Sequence, residues 1–330
     1  MKHLTASLLS MLAFVSVAAR AESTSVLALA RTIPLPDVSG LIGPMAADPI
    51  HHRLFVAATG NNTVEVLDLQ GNKRIETITG CAKPQGILFL PKPNLLYVTG
   101  NSEGELKIYD CDSFRAVKTI GSLPDADSIR FDAPSSRVYV GYGAGALGVV
   151  NAISGVKTYS IALAGRPAAF EIERIGGRIF VNLPEAGAVA VVDRINRSVM
   201  ATWPVKNYQG NVPMLLDETS HRLLIGCRQP SRLAVLDTTI EKAVAELEIS
   251  DDVDGVSYDA KRKRIYVSCG EGFINVVAQA DARVYRLVEK LPTSAGARAG
   301  LFVPELDSYY LAVPRRDNRP AEIRIYQPRS

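Results

Sequence analysis

The sequence predicts an all-β fold, a seven-bladed β-propeller of four-stranded antiparallel blades. A short strand pattern recurs along the chain, with its aromatic or aliphatic centre at Phe55, Tyr97, Tyr139, Phe180, Leu224, Tyr266 and Tyr310. Consecutive centres lie 41 to 44 residues apart, which is the length of one four-stranded blade. The repeats lack the 3.6-residue apolar rhythm that the helix pairs of a helical solenoid would show. These observations together indicate seven blades.

Each repeat divides into four strands, named a to d from the central channel outward. In the second repeat we predict strand a at residues 86–90, strand b at 95–99, strand c at 105–110 and strand d at 115–120. Turn-forming residues separate the first three of these strands, as expected where a chain reverses direction sharply.

Strand c has a signature of its own. In the first five repeats it ends on a residue whose side chain can start a turn by accepting a backbone hydrogen bond. These residues are Asp68, Asp110, Asn151, Asp193 and Asp237.

The last repeat offers strands a to c between about residues 297 and 327 and has no room for strand d. An apolar segment, Val26 to Pro34, precedes the first strand a and has no earlier partner. We therefore predict that this N-terminal strand completes the last blade. Closing the ring in this way removes the exposed sheet edges that promote aggregation. Residues 22–330 are predicted to form one propeller.

The first 21 residues are typical of a secretory signal peptide. Met1-Lys2-His3 precedes an apolar run from Leu4 to Ala19 and the triplet Ala19-Arg20-Ala21. We expect a periplasmic or secreted monomer. We expect no membrane span in the mature protein, because no later apolar run approaches about 18 residues. Removing the segment lowers the formal net charge from +3 to +1. Such near-neutrality argues against a nucleic-acid partner.

The second strands resemble those of the YVTN-repeat family. Tyr97-Val98-Thr99-Gly100, Tyr139-Val140-Gly141 and Tyr266-Val267-Ser268 match the first positions of its motif, and none carries the full tetrapeptide. The resemblance covers roughly residues 24–327. It implies an exported bacterial or archaeal propeller of unassigned role. Related propellers include haem or copper enzymes of nitrogen oxide reduction and streptogramin lyases.

A column of small residues aligns near the start of strand a, where seven strands converge on the channel. It consists of Pro44, Gly86, Ser128, Ala169, Pro213, Gly255 and Gly300. Residues just before this column are expected to line the channel mouth on the face formed by the d–a and b–c loops. Propellers usually bind ligands at that face.

Eight polar residues at this mouth are the predicted ligand-binding residues. They are Lys83, Gln85, Asp125, Asp127, Arg166, Asp252, Asp254 and Arg298. Their mixed charge suits a small polar or zwitterionic ligand, a protein partner or a cation held by carboxylates. A solvated or internally paired set of charges is the alternative. Residues of the b–c loops could extend the rim: Asn101, Glu103, Tyr142, Arg228, Glu271, Arg315 and Arg316.

The histidines and cysteines of the sequence do not indicate a catalytic site. After residue 21 the only histidines are His51, His52 and His221, and we expect them in tight a–b turns on the opposite face. A copper site or a histidine base at the mouth is therefore not expected. The chain has no Cys-x-x-Cys-His, which excludes covalent c-type haem. We predict no cofactor, no metal and no catalytic residue.

The four cysteines, Cys81, Cys111, Cys227 and Cys269, are expected to be free thiols. Cys227 and Cys269 occupy equivalent positions in adjacent blades. Packed sheets stand about 10 Å apart, whereas the Cα atoms of a disulfide lie within about 7 Å.

The function indicated by these patterns is that of an exported binding or scaffold module that contacts a small molecule or a protein at its mouth. One alternative is a metal-dependent lyase or hydrolase that uses Asp127 or Asp254. Another is an accessory protein of periplasmic electron transfer.

Overall fold

Seven four-stranded antiparallel sheets make up the computed structural model, which describes residues 25–205 and 208–330. In each sheet the strands follow one another in space in the order a, b, c, d. The inner strands of successive sheets contact each other. The prediction of a seven-bladed propeller is therefore confirmed. The predicted signal peptide, residues 1–21, lies outside the described residues.

The strands of blades 1 to 4 are given in the order a to d. Blade 1 comprises β2 (Met45–Asp48), β3 (Arg53–Ala58), β4 (Thr63–Asp68) and β5 (Lys73–Ile78). Blade 2 comprises β6 (Pro84–Leu90), β7 (Leu95–Gly100), β8 (Glu105–Asp110) and β9 (Ala116–Ile120). Blade 3 comprises β10 (Ile129–Asp132), β11 (Arg137–Tyr142), β12 (Ala146–Asn151) and β13 (Val156–Ala162). Blade 4 comprises β14 (Phe170–Ile172), β15 (Arg178–Leu183), β16 (Ala188–Asp193) and β17 (Ser198–Pro204).

Three blades complete the ring. Blade 5 comprises β18 (Gln209–Asp217), β19 (Arg222–Gln229), β20 (Ser231–Asp237) and β21 (Lys242–Glu248). Blade 6 comprises β22 (Val253–Asp259), β23 (Arg264–Cys269), β24 (Phe273–Gln279) and β25 (Tyr285–Pro292). Blade 7 comprises β26 (Ala299–Val303), β27 (Ser308–Val313), β28 (Ala321–Pro328) and β1 (Leu27–Leu35). Short 3-10 helices lie at Thr59–Asn61, Pro184–Ala186 and Pro304–Leu306. Within the described ranges, no helix has the length and apolar character needed to cross a membrane.

The N-terminal strand closes the ring as predicted. β1 pairs antiparallel with β28, from Leu27 opposite Pro328 to Leu35 opposite Ala321. Leu27, Ile33 and Leu35 are fully buried, so the strand contributes to the core as well as to the hydrogen-bond ladder. The last blade is thus built from both ends of the described chain.

The hydrophobic core is divided among the junctions between blades. Strands b are largely buried, and their centres Tyr97, Tyr139 and Tyr266 have no exposed surface. At the first junction Phe55 of blade 1 stacks on Phe89 of blade 2, with ring centroids 5.6 Å apart. Each blade therefore depends on its neighbours to cover its faces, as in other repeat proteins.

The predicted turns after strand c are present. The backbone N–H of Ser113 donates to Asp110 Oδ1 at 2.8 Å, and that of Ile195 donates to Asp193 Oδ1 at 2.8 Å. The same bond forms at the other three predicted residues, Asp68, Asn151 and Asp237.

One position of the small-residue column is corrected by the strand register. In blade 6, Gly255 pairs with Ser268, which is two residues after the centre of strand b. In blade 7 the residue two after the centre is Ala312, and its partner is Ala299 rather than the predicted Gly300. Both candidates are small, so residue size alone could not fix the register.

This correction changes the set of residues that directly precede the column, which we call the mouth ring. Its members, in blade order, are Gly43, Gln85, Asp127, Ala168, Val212, Asp254 and Arg298. Arg298 therefore occupies the same position in its blade as Asp127 and Asp254 do in theirs.

At three junctions, a polar side chain on strand b of one blade binds the backbone of the mouth-ring residue in the next blade. Thr99 Oγ1 donates to the carbonyl oxygen of Asp127 at 2.8 Å, and Ser268 Oγ donates to that of Arg298 at 2.6 Å. Asn182 Nδ2 reaches the carbonyl oxygen of Val212 at 3.2 Å. These bonds fix ring residues of blades 3, 5 and 7 relative to blades 2, 4 and 6.

A second set of bonds links the blades on the opposite face. Arg178 Nη1 donates to the carbonyl oxygen of Thr238 at 2.8 Å, and Arg222 Nε donates to that of Ala282 at 2.6 Å. In blade 2, where strand b begins with leucine, the hydroxyl of Tyr97 donates to the carbonyl oxygen of Ala152 at 2.9 Å. Each bond joins strand b of one blade to the c–d turn of the next.

Thr99→Val tests the bonds at the mouth. Thr99 is fully buried, and its hydroxyl also accepts the backbone N–H of Gly86 at 2.6 Å. The substitution keeps the side-chain shape and leaves two buried backbone groups unpaired, so we expect the free energy of unfolding to fall by about 1 to 3 kcal/mol. Chemical denaturation measures this loss. Thr119→Val, on an exposed position of β9, is the control, and equal stability of the two variants would contradict a bridging role for Thr99.

Candidate functional site

The eight predicted residues all lie at one end of the ring, in the d–a loops or the first residues of strands a. Gln85 and Asp254 are inside β6 and β22. Lys83, Asp252 and Arg298 directly precede β6, β22 and β26, and Asp125, Asp127 and Arg166 lie two to four residues before β10 and β14. Lys83, Asp125 and Arg166 are exposed. The other five are half-buried: Gln85, Asp127, Asp252, Asp254 and Arg298.

Two of the carboxylates belong to a compact ion-pair cluster. Arg298 Nη1 lies 3.0 Å from both carboxylate oxygens of Asp252, and Arg298 Nε lies 3.4 Å from Asp254 Oδ2. Arg228 Nη2 lies 2.8 Å from Asp254 Oδ1 and 3.4 Å from Asp252 Oδ1. Two arginines from blades 5 and 7 thus neutralise the two aspartates of blade 6.

Arg228 contacts the blade 6 loop more extensively than the sequence indicates. Its place in the sequence predicts one rim residue among several in the b–c loops, whereas in the structure Arg228 Nε also donates to the carbonyl oxygen of Val253 at 3.0 Å. The guanidinium therefore holds both the backbone and the side chains of the blade 6 loop. A short connection between β19 and β20, with Arg228 opposite Ser231, keeps this residue close to the mouth.

Asp127 has a different environment. Within residues 25–205 and 208–330, no hydrogen bond or ion pair engages its carboxylate. Removal from water raises the pKa of this group, the positive charge of Arg166 opposes the rise, and the negative charge of Asp254 adds to it. Removal from water also raises the pKa of Asp254, which Arg298 and Arg228 oppose. The negative charge of Asp254 thus acts on Asp127, and within the part of the chain that the structure describes Asp254 is paired and Asp127 is not.

The remaining candidates for chemistry lie elsewhere. His52 and His221 occupy tight turns between strands a and b with φ of 52° and 56°, on the face predicted for them. All four cysteines are buried and free. Burial raises the pKa of each thiol to about 12, so these groups are not nucleophiles at neutral pH.

No group of three or more histidine, cysteine, aspartate or glutamate side chains in the described part of the chain is arranged to hold a metal ion. Two surface cavities lie away from the eight predicted residues. One, of about 380 Å³, borders Asp217, Tyr258 and Lys263 on the opposite face. The other, of about 410 Å³, borders Arg316 and Arg319 in the b–c loop of blade 7.

Comparison with known proteins supports the fold. Neither a protein-family model nor a curated protein matches the chain. A solved structure of Kuenenia stuttgartiensis hydrazine synthase is similar with a TM-score of 0.75 and 18% sequence identity, covering 84% of this chain and 94% of that chain. A chain in a crystal structure of the mitotic checkpoint complex is similar with a TM-score of 0.78 and 10% identity, covering 99% of this chain and 98% of that chain. At these identities the likeness shows the seven-bladed propeller architecture, which is compatible with a binding or scaffold role.

Asp127→Asn tests the electrostatic state of the mouth. When the pKa of a carboxyl is higher in the folded state than in the unfolded state, the fold loses stability as the pH rises through the interval between the two pKa values. The cost is therefore absent below the ordinary pKa of an aspartate, about 4, and it grows as the pH rises above that value because the carboxyl of Asp127 must then ionise in a place where burial raises its pKa. We therefore expect the variant to be more stable than the natural protein at pH 7.

Thermal denaturation between pH 3 and pH 8 measures this difference, which should shrink as the pH falls. Glu185→Gln, which removes an exposed carboxylate from the short helix Pro184–Ala186, is the control for the loss of one charge. An Asp127→Asn variant that is less stable at pH 7 would show that the carboxylate has a stabilising partner.

Proposed function

We propose that the protein is an exported propeller of the YVTN-repeat type that acts as a binding module, with the channel mouth as its contact surface. The apolar run from Leu4 to Ala19 and the triplet that follows it support export to the periplasm or beyond. The recurring Tyr-Val pairs in strands b support the YVTN assignment. Completion of the ring by the protein's own strand β1 supports a monomer.

The carboxylate of Asp127 is the observation that carries the proposal. A charged group partly removed from water is costly unless a partner compensates for it. Arginines of blades 5 and 7 compensate the aspartates of blade 6, whereas among the described residues the positive charge that acts on the Asp127 carboxylate is that of Arg166. A ligand that brings a positive group to Asp127 would supply what the described residues do not.

Binding fits the site better than catalysis. A nucleophile needs an adjacent base or a lowered pKa, and the cysteines have raised pKa values while the histidines lie on the opposite face. A rigid ring, held by bonds between blades, presents the mouth side chains in a fixed arrangement. Such preorganisation reduces the entropic cost of binding.

The test is a thermal-shift screen with small charged compounds, comparing the natural protein with Asp127→Asn/Asp254→Asn. We expect at least one compound to raise the Tm of the natural protein in a concentration-dependent way, because ligand at about 100 times its Kd adds about 2.7 kcal/mol of stability. The double variant should lose this effect, and Glu185→Gln should keep it. A compound that stabilises the double variant equally would show that binding occurs elsewhere.

A further inference from the structure

The junction of blades 3 and 4, on the face opposite the mouth, is bonded differently from its counterparts. Five strands b begin with an arginine that lies opposite an acidic residue at or just after the end of strand a. The pairs are Asp48 with Arg53, Asp132 with Arg137, Glu173 with Arg178, Asp217 with Arg222 and Asp259 with Arg264. Four of these arginines each donate to a backbone carbonyl group of the following blade. Within residues 25–205 and 208–330, Arg137 donates to no carbonyl group.

Arg137 has lost its carboxylate to another arginine. Arg194 of blade 4 lies 2.9 Å from Asp132 Oδ1, and Asp132 is buried. Arg137 is instead stacked on Tyr159, with its guanidinium carbon 5.7 Å from the ring centroid. Its Nη1 lies 3.4 Å from the Tyr159 hydroxyl. Among the described residues, no carboxylate contacts the guanidinium group of Arg137.

A second arginine reaches the same ring from the next blade. Arg197 is exposed in the c–d turn of blade 4, where its φ is 58°. Its guanidinium carbon lies 4.2 Å from the centroid of Tyr159, within the range of a cation–π contact. No hydrogen bond or ion pair from the described part of the chain engages its side chain. One tyrosine ring thus holds two guanidinium groups that have no carboxylate partner there.

The hydroxyl of Tyr139 is a buried donor beside these groups. Tyr139 has no exposed surface, and the described residues offer its hydroxyl no hydrogen-bond partner. The equivalent hydroxyls are bonded: Tyr97 donates to the carbonyl oxygen of Ala152, and Tyr266 donates to Asp259 Oδ2. Burial raises the pKa of Tyr139, Tyr159 adds to the rise and Arg137 opposes it. The hydroxyl is therefore protonated and faces the same arginine.

These groups share one deficit, because each is a donor that lacks an acceptor. A buried donor without an acceptor costs free energy, and two adjacent positive charges favour a ligand with two negative charges. A phosphate monoester carries a charge of about −1.5 to −2 at neutral pH and three acceptor oxygens. The planar fork of an arginine matches phosphate geometry.

We propose that Arg137, Arg197 and the Tyr139 hydroxyl bind a phosphate group at the junction of blades 3 and 4. A soluble phosphate compound and a phospholipid headgroup are the two sources of this chemistry. Ile153 and Ile195 lie in the c–d turns of blades 3 and 4 with 85% and 80% of their surface exposed, so the lipid source is included in the test. The site lies on the opposite face from the mouth and does not depend on it.

Isothermal titration with inorganic phosphate, at constant ionic strength in a chloride buffer, tests the site. The natural protein is expected to bind phosphate. Tyr139→Phe and Arg197→Gln should each weaken the binding by about tenfold or more, since each removes a donor to a charged acceptor. Arg174→Gln removes an exposed arginine from the a–b turn of blade 4 and should bind as the natural protein does. Asp127→Asn should also bind equally, which separates this site from the mouth.

Thermal denaturation shows whether the Tyr139 variant reports on binding or on folding. Because the hydroxyl lacks a partner, Tyr139→Phe should be at least as stable as the natural protein in phosphate-free buffer. Added phosphate should raise the Tm of the natural protein more than that of the variant. A Tyr139→Phe variant that is less stable without phosphate would show that the hydroxyl has a partner within the protein, and would contradict the proposal.

Vesicles distinguish the two sources. Co-sedimentation compares vesicles of phosphatidic acid in phosphatidylcholine with vesicles of phosphatidylcholine alone. Retention by the phosphatidic acid vesicles that Arg197→Gln loses and Arg174→Gln keeps assigns the site to a lipid headgroup. Binding of inorganic phosphate without retention by vesicles assigns it to a soluble compound. No binding of either probe, or equal binding by the natural protein, Tyr139→Phe and Arg197→Gln, would overturn the proposal.

Discussion

The close approach of the seven inner strands is the constraint on which the rest of the structure depends. A Cβ atom added to Gly86 would overlap the carbonyl oxygen of Asp127 in the next blade, and one added to Gly255 would lie 3.0 Å from the backbone nitrogen of Gly300. Such distances leave no room for a larger side chain. Thr99 and Ser268 then bind the neighbouring carbonyl groups. The positions of Asp127 and Arg298 are therefore set by the blades before them.

This constraint gives the mouth its uneven distribution of charge. Asp-x-Asp pairs stand just before the small-residue column in blades 3 and 6, and their surroundings differ because each blade meets different neighbours. Arg228 and Arg298 reach the blade 6 loop from both sides, and uncharged Asn101 and Ala168 hold the matching positions around blade 3. The fixed ring thus turns a repeated sequence into one internally neutralised cluster and one open carboxylate site.

The architecture followed from the sequence because each blade repeats the same local pattern. The spacing of the strand b centres predicted seven blades, and the unpaired apolar segment near the N-terminus predicted the strand that closes the ring. The register of blade 7 did not follow, since Ala299 and Gly300 are both small. The partnership of Arg228 with Asp254 was also beyond the sequence, because it depends on the packing of two adjacent blades. Which of two similar aspartate pairs stays open depends on such contacts between blades.

A crystal structure of the ligand-free protein tests the central claim about the mouth most directly. It should show Arg228 and Arg298 on the aspartates of blade 6, and no basic nitrogen within about 4 Å of the Asp127 carboxylate, the usual limit for an ion pair. Lys83 or Arg166 paired directly with Asp127 would contradict the claim, because the carboxylate would then be compensated by the protein itself.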